Sequence, residues 1–286
     1  MPIDPAKALA APPKTEKISW EPTDVLLYHL GLGAGTPATD PVELRYTLES
    51  RLHVLPSFAT VAGVGAGVTG GLDTPGIDVD LSAVLHGTQH IGIHRPLPAR
   101  GEATATTAVV AVHDKGSAAV VVQRTEAADG EGPLWTAESR LFVRGEGGFG
   151  GERGASLTSE DLPATEPDFT VERGVREDQA LLYRLSGDRN PLHADPRFAA
   201  RAGFERPILH GLCTYGMALK AAVDTALDGE PERVRGYGAR FTGVVFPGET
   251  LRIRIWRVRP GALLLSVTVA ERADTVVLAD AVVEYD

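Results

Sequence analysis

Apolar and polar residues alternate over long stretches of this chain, which predicts β-structure. Residues 104–112 and 117–125 flank the turn His113-Asp114-Lys115-Gly116 and read as a hairpin, with a strand before it at 85–93 and one after it at 134–143. In the last third, residues 237–245, 251–258, 263–271 and 275–284 carry the same alternation. One segment has helical spacing instead: over 212–227 the apolar face runs Leu212, Tyr215, Leu219, Ala222, Val223, Ala226. Shorter helices are expected from Trp20 onward, with Thr23 or Asp24 as cap, over 178–185, and from Asp195-Pro196 to Gly203. Residues 44–48 read as a strand and the small-residue stretch 58–72 as a helix.

The pattern repeats. Arg95-Pro96-Leu97-Pro98-Ala99-Arg100-Gly101-Glu102 parallels Val245-Phe246-Pro247-Gly248-Glu249, and each precedes a hairpin and a last strand. Each half is thus a helix followed by an antiparallel sheet, an α+β arrangement. The division expected is a disordered leader over 1–16, a first unit over 17–150, a linker over 151–165 and a second unit over 166–286. The stretch Gly65-Ala66-Gly67-Val68-Thr69-Gly70 matches a dinucleotide fingerprint letter for letter. That fingerprint needs a strand before it, a helix after it and an acid about 20 residues on; here the flanking sequence reads as one small-residue helix with an extended stretch after it, so close packing of a helix on a sheet is the reading.

Charge and composition narrow the possibilities. The 286 residues carry a net charge of −10, which argues against a nucleic-acid partner and against attraction to an anionic membrane. No run approaches the roughly 18 apolar residues of a membrane span. The single cysteine, Cys213, excludes an internal disulfide framework and fits a reducing cytoplasm.

The candidate chemistry is concentrated in Leu185-Ser186-Gly187-Asp188-Arg189-Asn190-Pro191-Leu192-His193. An acid, an amide and an imidazole sit in a loop stiffened by proline and bent by glycine. Asp188 and His193 are the residue types that move protons near neutral pH. Asp188-x-Asn190 starts like a calcium loop but lacks the glycine and glutamate that such a loop requires. His193, Asp195 and His210 could in principle hold zinc, yet the spacing is not that of a usual ligand set, and no metal is expected. A plain surface turn is the remaining reading from composition. Gly211 follows His210 at the start of the long helix, where unpaired N–H groups could hold an oxyanion.

The segment from Tyr183 to Pro196, together with Pro207-Ile208-Leu209-His210-Gly211-Leu212-Cys213-Thr214-Tyr215-Gly216, resembles the signature of the 2-enoyl-CoA hydratase 2 (MaoC-like) family. Gly31-Leu32-Gly33-Ala34, Val54-Leu55-Pro56-Ser57-Phe58, Leu85-His86-Gly87 and Asp114-Lys115-Gly116-Ser117 extend the likeness into the first half. The resemblance implies a double hot-dog fold and reversible hydration of a trans-2-enoyl-CoA to a (3R)-3-hydroxyacyl-CoA. By position it makes Asp188 and His193 the acid–base pair, Asn190 the group that orients water or substrate, and the Gly211 N–H the oxyanion donor. His86, Gly87, Lys115, Arg189, Pro191, Leu192 and Phe241 would line the path of CoA and acyl chain. At Thr88 the family more often carries an acid. The substrate would be an acyl-CoA thioester, no cofactor would be needed, and a homodimer is expected. Two alternatives stay open: a dehydratase acting on carrier-bound 3-hydroxyacyl thioesters, and a non-catalytic acyl-CoA-binding subunit.

Overall fold

The computed structural model describes residues 3–65, 72–80, 83–155 and 161–286. Helix α1 (Pro5–Ala10) and strand β1 (Lys14–Trp20) open the chain, followed by α2 (Pro22–Gly31), α3 (Leu44–Thr47) and α4 (Ala62–Gly65). Strands β2 (Val84–Ile93), β3 (Gly101–Asp114), β4 (Ala118–Asp129) and β5 (Gly132–Arg144) complete the first unit. The second unit holds β6 (Phe169–Gly174), α5 (Gln179–Tyr183), α6 (Pro196–Arg201), the long α7 (Gly211–Ala226), β7 (Val234–Phe241), β8 (Thr250–Arg259), β9 (Ala262–Val269) and β10 (Thr275–Tyr285).

All ten strands form one antiparallel sheet in the order β1-β3-β4-β5-β2-β7-β10-β9-β8-β6. Read outward from its centre, that order is the same in both directions, with β7 standing for β2, β10 for β5, β9 for β4, β8 for β3 and β6 for β1. The repeat seen in the sequence is therefore a repeat of topology. The halves join where β2 pairs with β7, from Thr88 opposite Arg240 to Gly92 opposite Gly236. This is the α+β, double hot-dog plan expected.

Helix α7 is the axis of the second unit. The periodicity predicted one apolar face, but the helix is buried nearly all round, from Leu212 through Val223. That fits a helix held between a sheet and other helices. On one side it meets β6–β10; on the other, α2 comes so close that a Cβ on Gly216 would lie 2.7 Å from the Leu32 side chain and 2.8 Å from the Tyr28 hydroxyl. The charged residue this buries, Lys220, is neutralised by Glu43 and Asp224, each at 2.8 Å. Its ammonium also lies over the Tyr46 ring.

Several expectations need correction. The leader over 1–16 is structured among the described residues. Asp4 accepts the Lys7 N–H at 3.0 Å as an N-cap, and Ile3 and Ala8 are buried against β3–β5. Strand β1 pairs with β3 and buries Ile18 and Trp20 while its charged neighbours face out. The signal was a short i, i+2 alternation inside a charged run. Residues 44–48 form helix α3 rather than a strand, because Tyr46 is drawn into the core and its hydroxyl donates to Asp224 at 2.7 Å. Over 58–72 the described part is a 3-10 turn, Pro56–Thr60, and the short α4, not one helix. The glycine fingerprint falls mostly outside the described residues. The glycine-rich end of the first unit, just before the linker, is tied down: Gly148 and Gly150 donate N–H groups to the Asp114 carboxylate at 2.9 and 2.7 Å.

Candidate active site

The loop between α5 and α6 is shaped by its own polar side chains. Helix α5 runs into a 3-10 turn, Arg184–Ser186, that ends at Gly187 with φ 129°, a conformation for glycine. The Asp188 Oδ1 then accepts the Asn190 N–H at 3.0 Å, and the Asn190 Oδ1 accepts the Leu192 N–H at 3.0 Å. These are two successive Asx turns. Pro191 starts the 3-10 turn that ends at His193.

This folding leaves the other Asp188 oxygen, Oδ2, 4.0 Å from the His193 Nε2. That is too long for a direct hydrogen bond and suits a shared small molecule between the two. His193 is only 8% exposed, and its Nδ1 donates to the Ile208 carbonyl at 2.9 Å. A carbonyl can only accept, so in the neutral ring the Nε2 is the bare nitrogen and points at Asp188. Burial lowers the imidazole pKa below its ordinary value, with the Asp188 charge opposing the shift. The neutral, proton-accepting form is thereby favoured.

The His210 ring stacks on His193, centroids 3.7 Å apart and planes 25° off parallel. Its Nε2 donates to the Asp188 backbone carbonyl at 3.1 Å. Burial, and the neighbouring His193, hold its pKa well below the ordinary histidine value. Asp188, His193 and His210 each place a possible ligand atom within 4.8 Å of the others. Their geometry does not suit a metal: the two rings lie face to face, so their in-plane lone pairs run side by side instead of converging.

Helix α7 begins at Gly211, beside this group. The His210 carbonyl accepts the Cys213 and Thr214 N–H groups, so the helical ladder starts there and does not use the N–H of Gly211. A Cβ on Gly211 would lie 3.1 Å from the Phe241 ring, so the glycine lets that ring and the helix start sit together. Phe241 in turn contacts the His86 ring at 4.8 Å. His86, whose Nε2 donates to the Thr88 carbonyl at 3.1 Å, has its pKa lowered to about 4 by burial. Gly87 marks a bulge in the β2–β5 pairing, where a Cβ would lie 2.9 Å from the Arg140 carbonyl.

All of these groups open onto one cavity of about 1570 Å³. The eleven residues named from the sequence line it: Asp188, Asn190, His193, Gly211, His86, Gly87, Lys115, Arg189, Pro191, Leu192 and Phe241. Tyr183, His210, Arg140 and Arg144, not among the catalytic or substrate-binding residues expected, line it too. His210 had a signal, since it adjoins Gly211. The two arginines had none, because only the pairing of β5 with β2 and β4 carries them to the cavity. Leu72, Val84, Val120 and Leu141 give the first-unit part of the cavity an apolar lining.

Two units sharing one antiparallel sheet, with a polar loop beside the start of the long helix, define a double hot-dog protein. The solved MaoC-like dehydratase from Phytophthora capsici superposes with a TM-score of 0.88 at 30% identity, covering 99% of this chain and 98% of that one. The MaoC like domain profile matches residues 158–277, and the MFE-2 hydratase 2 N-terminal domain profile matches 19–145. Enoyl-CoA hydratase ChsH3 of Mycobacterium tuberculosis is 49% identical over 280 residues, 97% of either chain. The 3-hydroxyacyl-thioester dehydratase Y of the same organism is 43% identical, covering 100% of this chain and 99% of its own length. The chain belongs to the MaoC-like enoyl-CoA hydratase 2 family, its two halves corresponding to the MFE-2 hydratase 2 N-terminal domain and the MaoC-like domain.

Proposed function

We propose that this protein catalyses the reversible hydration of a trans-2-enoyl-CoA to a (3R)-3-hydroxyacyl-CoA. The observation that carries this reading is the 4.0 Å separation of Asp188 Oδ2 and His193 Nε2, facing one cavity beside the start of α7. A water bound between those atoms loses a proton to the pair as its oxygen bonds to the β-carbon. The C=C π bond breaks, and the α-carbon takes up a proton from the pair. Electron density that moves onto the thioester oxygen is met by the Gly211 N–H and the positive end of α7. Asn190, its oxygen engaged on the Leu192 N–H, has its NH2 left to orient water or substrate. The reaction involves no change of oxidation state overall, so the chain's own groups suffice without a redox cofactor.

Lys115 and the lining arginines Arg144 and Arg189 suit the phosphates of CoA on a chain that is otherwise acidic. A homodimer in a reducing cytoplasm goes with the same reading. A second reading, dehydration of a carrier-bound thioester, is favoured by the name of one relative. Both run the same chemistry, and parallel assays with CoA and carrier thioesters separate them.

The test is hydration of crotonyl- and decenoyl-CoA by the purified chain, with chiral analysis of the product. Asp188→Asn is expected to lower kcat by about 10²–10⁴-fold, the range for loss of a general acid–base group, with melting unchanged. An inert wild-type enzyme, or a fully active Asp188→Asn, removes the proposal; an (S)-product removes its stereochemistry.

A further inference from the structure

The acid–base pair is held by a third side chain. We infer that His210 is a positioning residue: its ring sets the spacing between the Asp188 carboxylate and the His193 imidazole, and its backbone opens the helix that carries the Gly211 N–H. This rests on the hydratase reading for its catalytic meaning, although the positioning itself can be measured without turnover.

Three contacts support it. The His210 Nε2–H grips the backbone carbonyl of Asp188, not its carboxylate, at 3.1 Å. It therefore fixes where the loop places Asp188 while leaving the reactive oxygen free to face His193. The His210 ring lies flat on the His193 ring at 3.7 Å, which limits the tilt of the imidazole. His193 is held at its other end by the Ile208 carbonyl, two residues before His210, so both anchors come from one short segment. The same residue is the N-cap of α7, directly before Gly211. One residue thus ties together the acid, the base and the oxyanion donor, which reach the site from two different segments.

The remaining face of His210 contains no competing task. Its Nδ1 is buried without a hydrogen-bond partner, and the Tyr183 ring covers it at a centroid distance of 5.0 Å. A residue kept only for stability would be better served there by an apolar ring of the same size, since an unmatched buried nitrogen is costly. Retention of an imidazole points to the one bond that a phenyl ring could not make, the donation to Asp188.

Two substitutions divide the contacts. His210→Phe keeps a stacked ring and removes the donor; His210→Gln keeps an amide N–H able to reach the Asp188 carbonyl and removes the ring. The donor is the decisive part. His210→Phe is expected to lower kcat about 100-fold, the scale of an ångström of misplacement, with KM within about twofold and melting no lower than wild type. His210→Gln should recover activity to within roughly tenfold of wild type. The second readout is the titration of the His193 imidazole by NMR on histidine-labelled protein. The charged or titratable groups facing it are Asp188 from the loop, His210 from α7 and Arg184 from the turn after α5. Of these, Asp188 supports the imidazolium, so a carboxylate released from its place should let the His193 pKa fall further in His210→Phe and not in His210→Gln.

Full activity in His210→Phe, equal losses in both variants, or an unchanged His193 titration in His210→Phe overturns the assignment. Should His210→Phe fail to fold, His210→Asn, too short to reach the carbonyl, takes its place in both measurements. If wild-type protein turns over no enoyl-CoA, the hydratase reading fails, and the titration alone decides whether His210 positions the pair.

Discussion

The two units have the same strand order and opposite interiors. In the second, α7 fills the hollow of β6–β10, and β9 is buried along its whole length. In the first, the described residues hold only a 3-10 turn and the four-residue α4 where the repeat would place a long helix. The cavity reaches the first-unit strands there, at Val84, Val120 and Leu141. One copy of the repeat supplies a rigid helix start and a polar loop; the other supplies room. A duplicated fold can in this way divide binding from chemistry between its two copies.

That contrast can be broken most severely at Lys220. Its ammonium is buried between Glu43 of the first unit and Asp224 of α7. Lys220→Met leaves two carboxylates without their cation and should cost about 3–5 kcal/mol in urea unfolding, the usual penalty for removing one partner of a buried pair. A loss below about 1 kcal/mol, the usual worth of an exposed pair, would mean that the helix is not anchored through this charge.

Matched truncations on the two halves of the sheet sharpen the comparison. Leu265→Ala, in the filled core, is expected to destabilise by about 2–5 kcal/mol. Val120→Ala, on the cavity wall, removes a side chain already bordered by open space and should cost less than about 1 kcal/mol. Equal losses would show that the first unit is packed as tightly as the second.

Acid should weaken the fold by a smaller, graded amount. His29 is fully buried in α2, donates Nδ1–H to the Tyr46 carbonyl at 2.9 Å and accepts the Leu55 N–H on Nε2 at 3.2 Å. Both bonds belong to the neutral ring, and burial lowers its pKa to about 3. Above about pH 6.5, the ordinary histidine value, neither folded nor unfolded chain is charged there, so this contribution to stability is whole. Below it, the unfolded chain binds a proton that the folded chain refuses, and stability falls by about 1.4 kcal/mol per pH unit for this one group. His86, His193 and His210 shift in the same direction and add to the slope. Urea midpoints from about pH 7 to about pH 5, roughly the window in which a histidine titrates, check this; a flat profile would contradict it.

The smallest effect expected is on substrate choice. Val120→Phe puts a ring into the first-unit part of the cavity and should lower kcat/KM for decenoyl-CoA about tenfold more than for crotonyl-CoA, on the scale of pocket contacts. Equal effects on both would place the acyl chain elsewhere.

Most of the strands and the long helix were legible in the sequence because their periodicity is local: a strand needs two-residue alternation and α7 a 3.6-residue face, and both are written within the segment. The loop from Gly187 to His193 was legible for the same reason, since its Asx turns and proline act on near neighbours. What the sequence could not announce came from distant contacts. Residues 44–48 alternate like a strand, but Tyr46 reaches Asp224 and His29, and the core draws the segment into a helix. Lys14–Trp20 looks like charged leader until β3 offers it a register.

The chain by itself thus determined which residues are able to do proton chemistry and the local bends that hold them, because those forces act over a few bonds. Only the tertiary structure decided that Asp188 and His193 stop 4.0 Å apart, that His210 lies flat between loop and helix, and that arginines of β5 face the same cavity. Those distances depend on where α7 is driven by the burial of its whole surface, a collective outcome of packing that no short stretch of residues encodes.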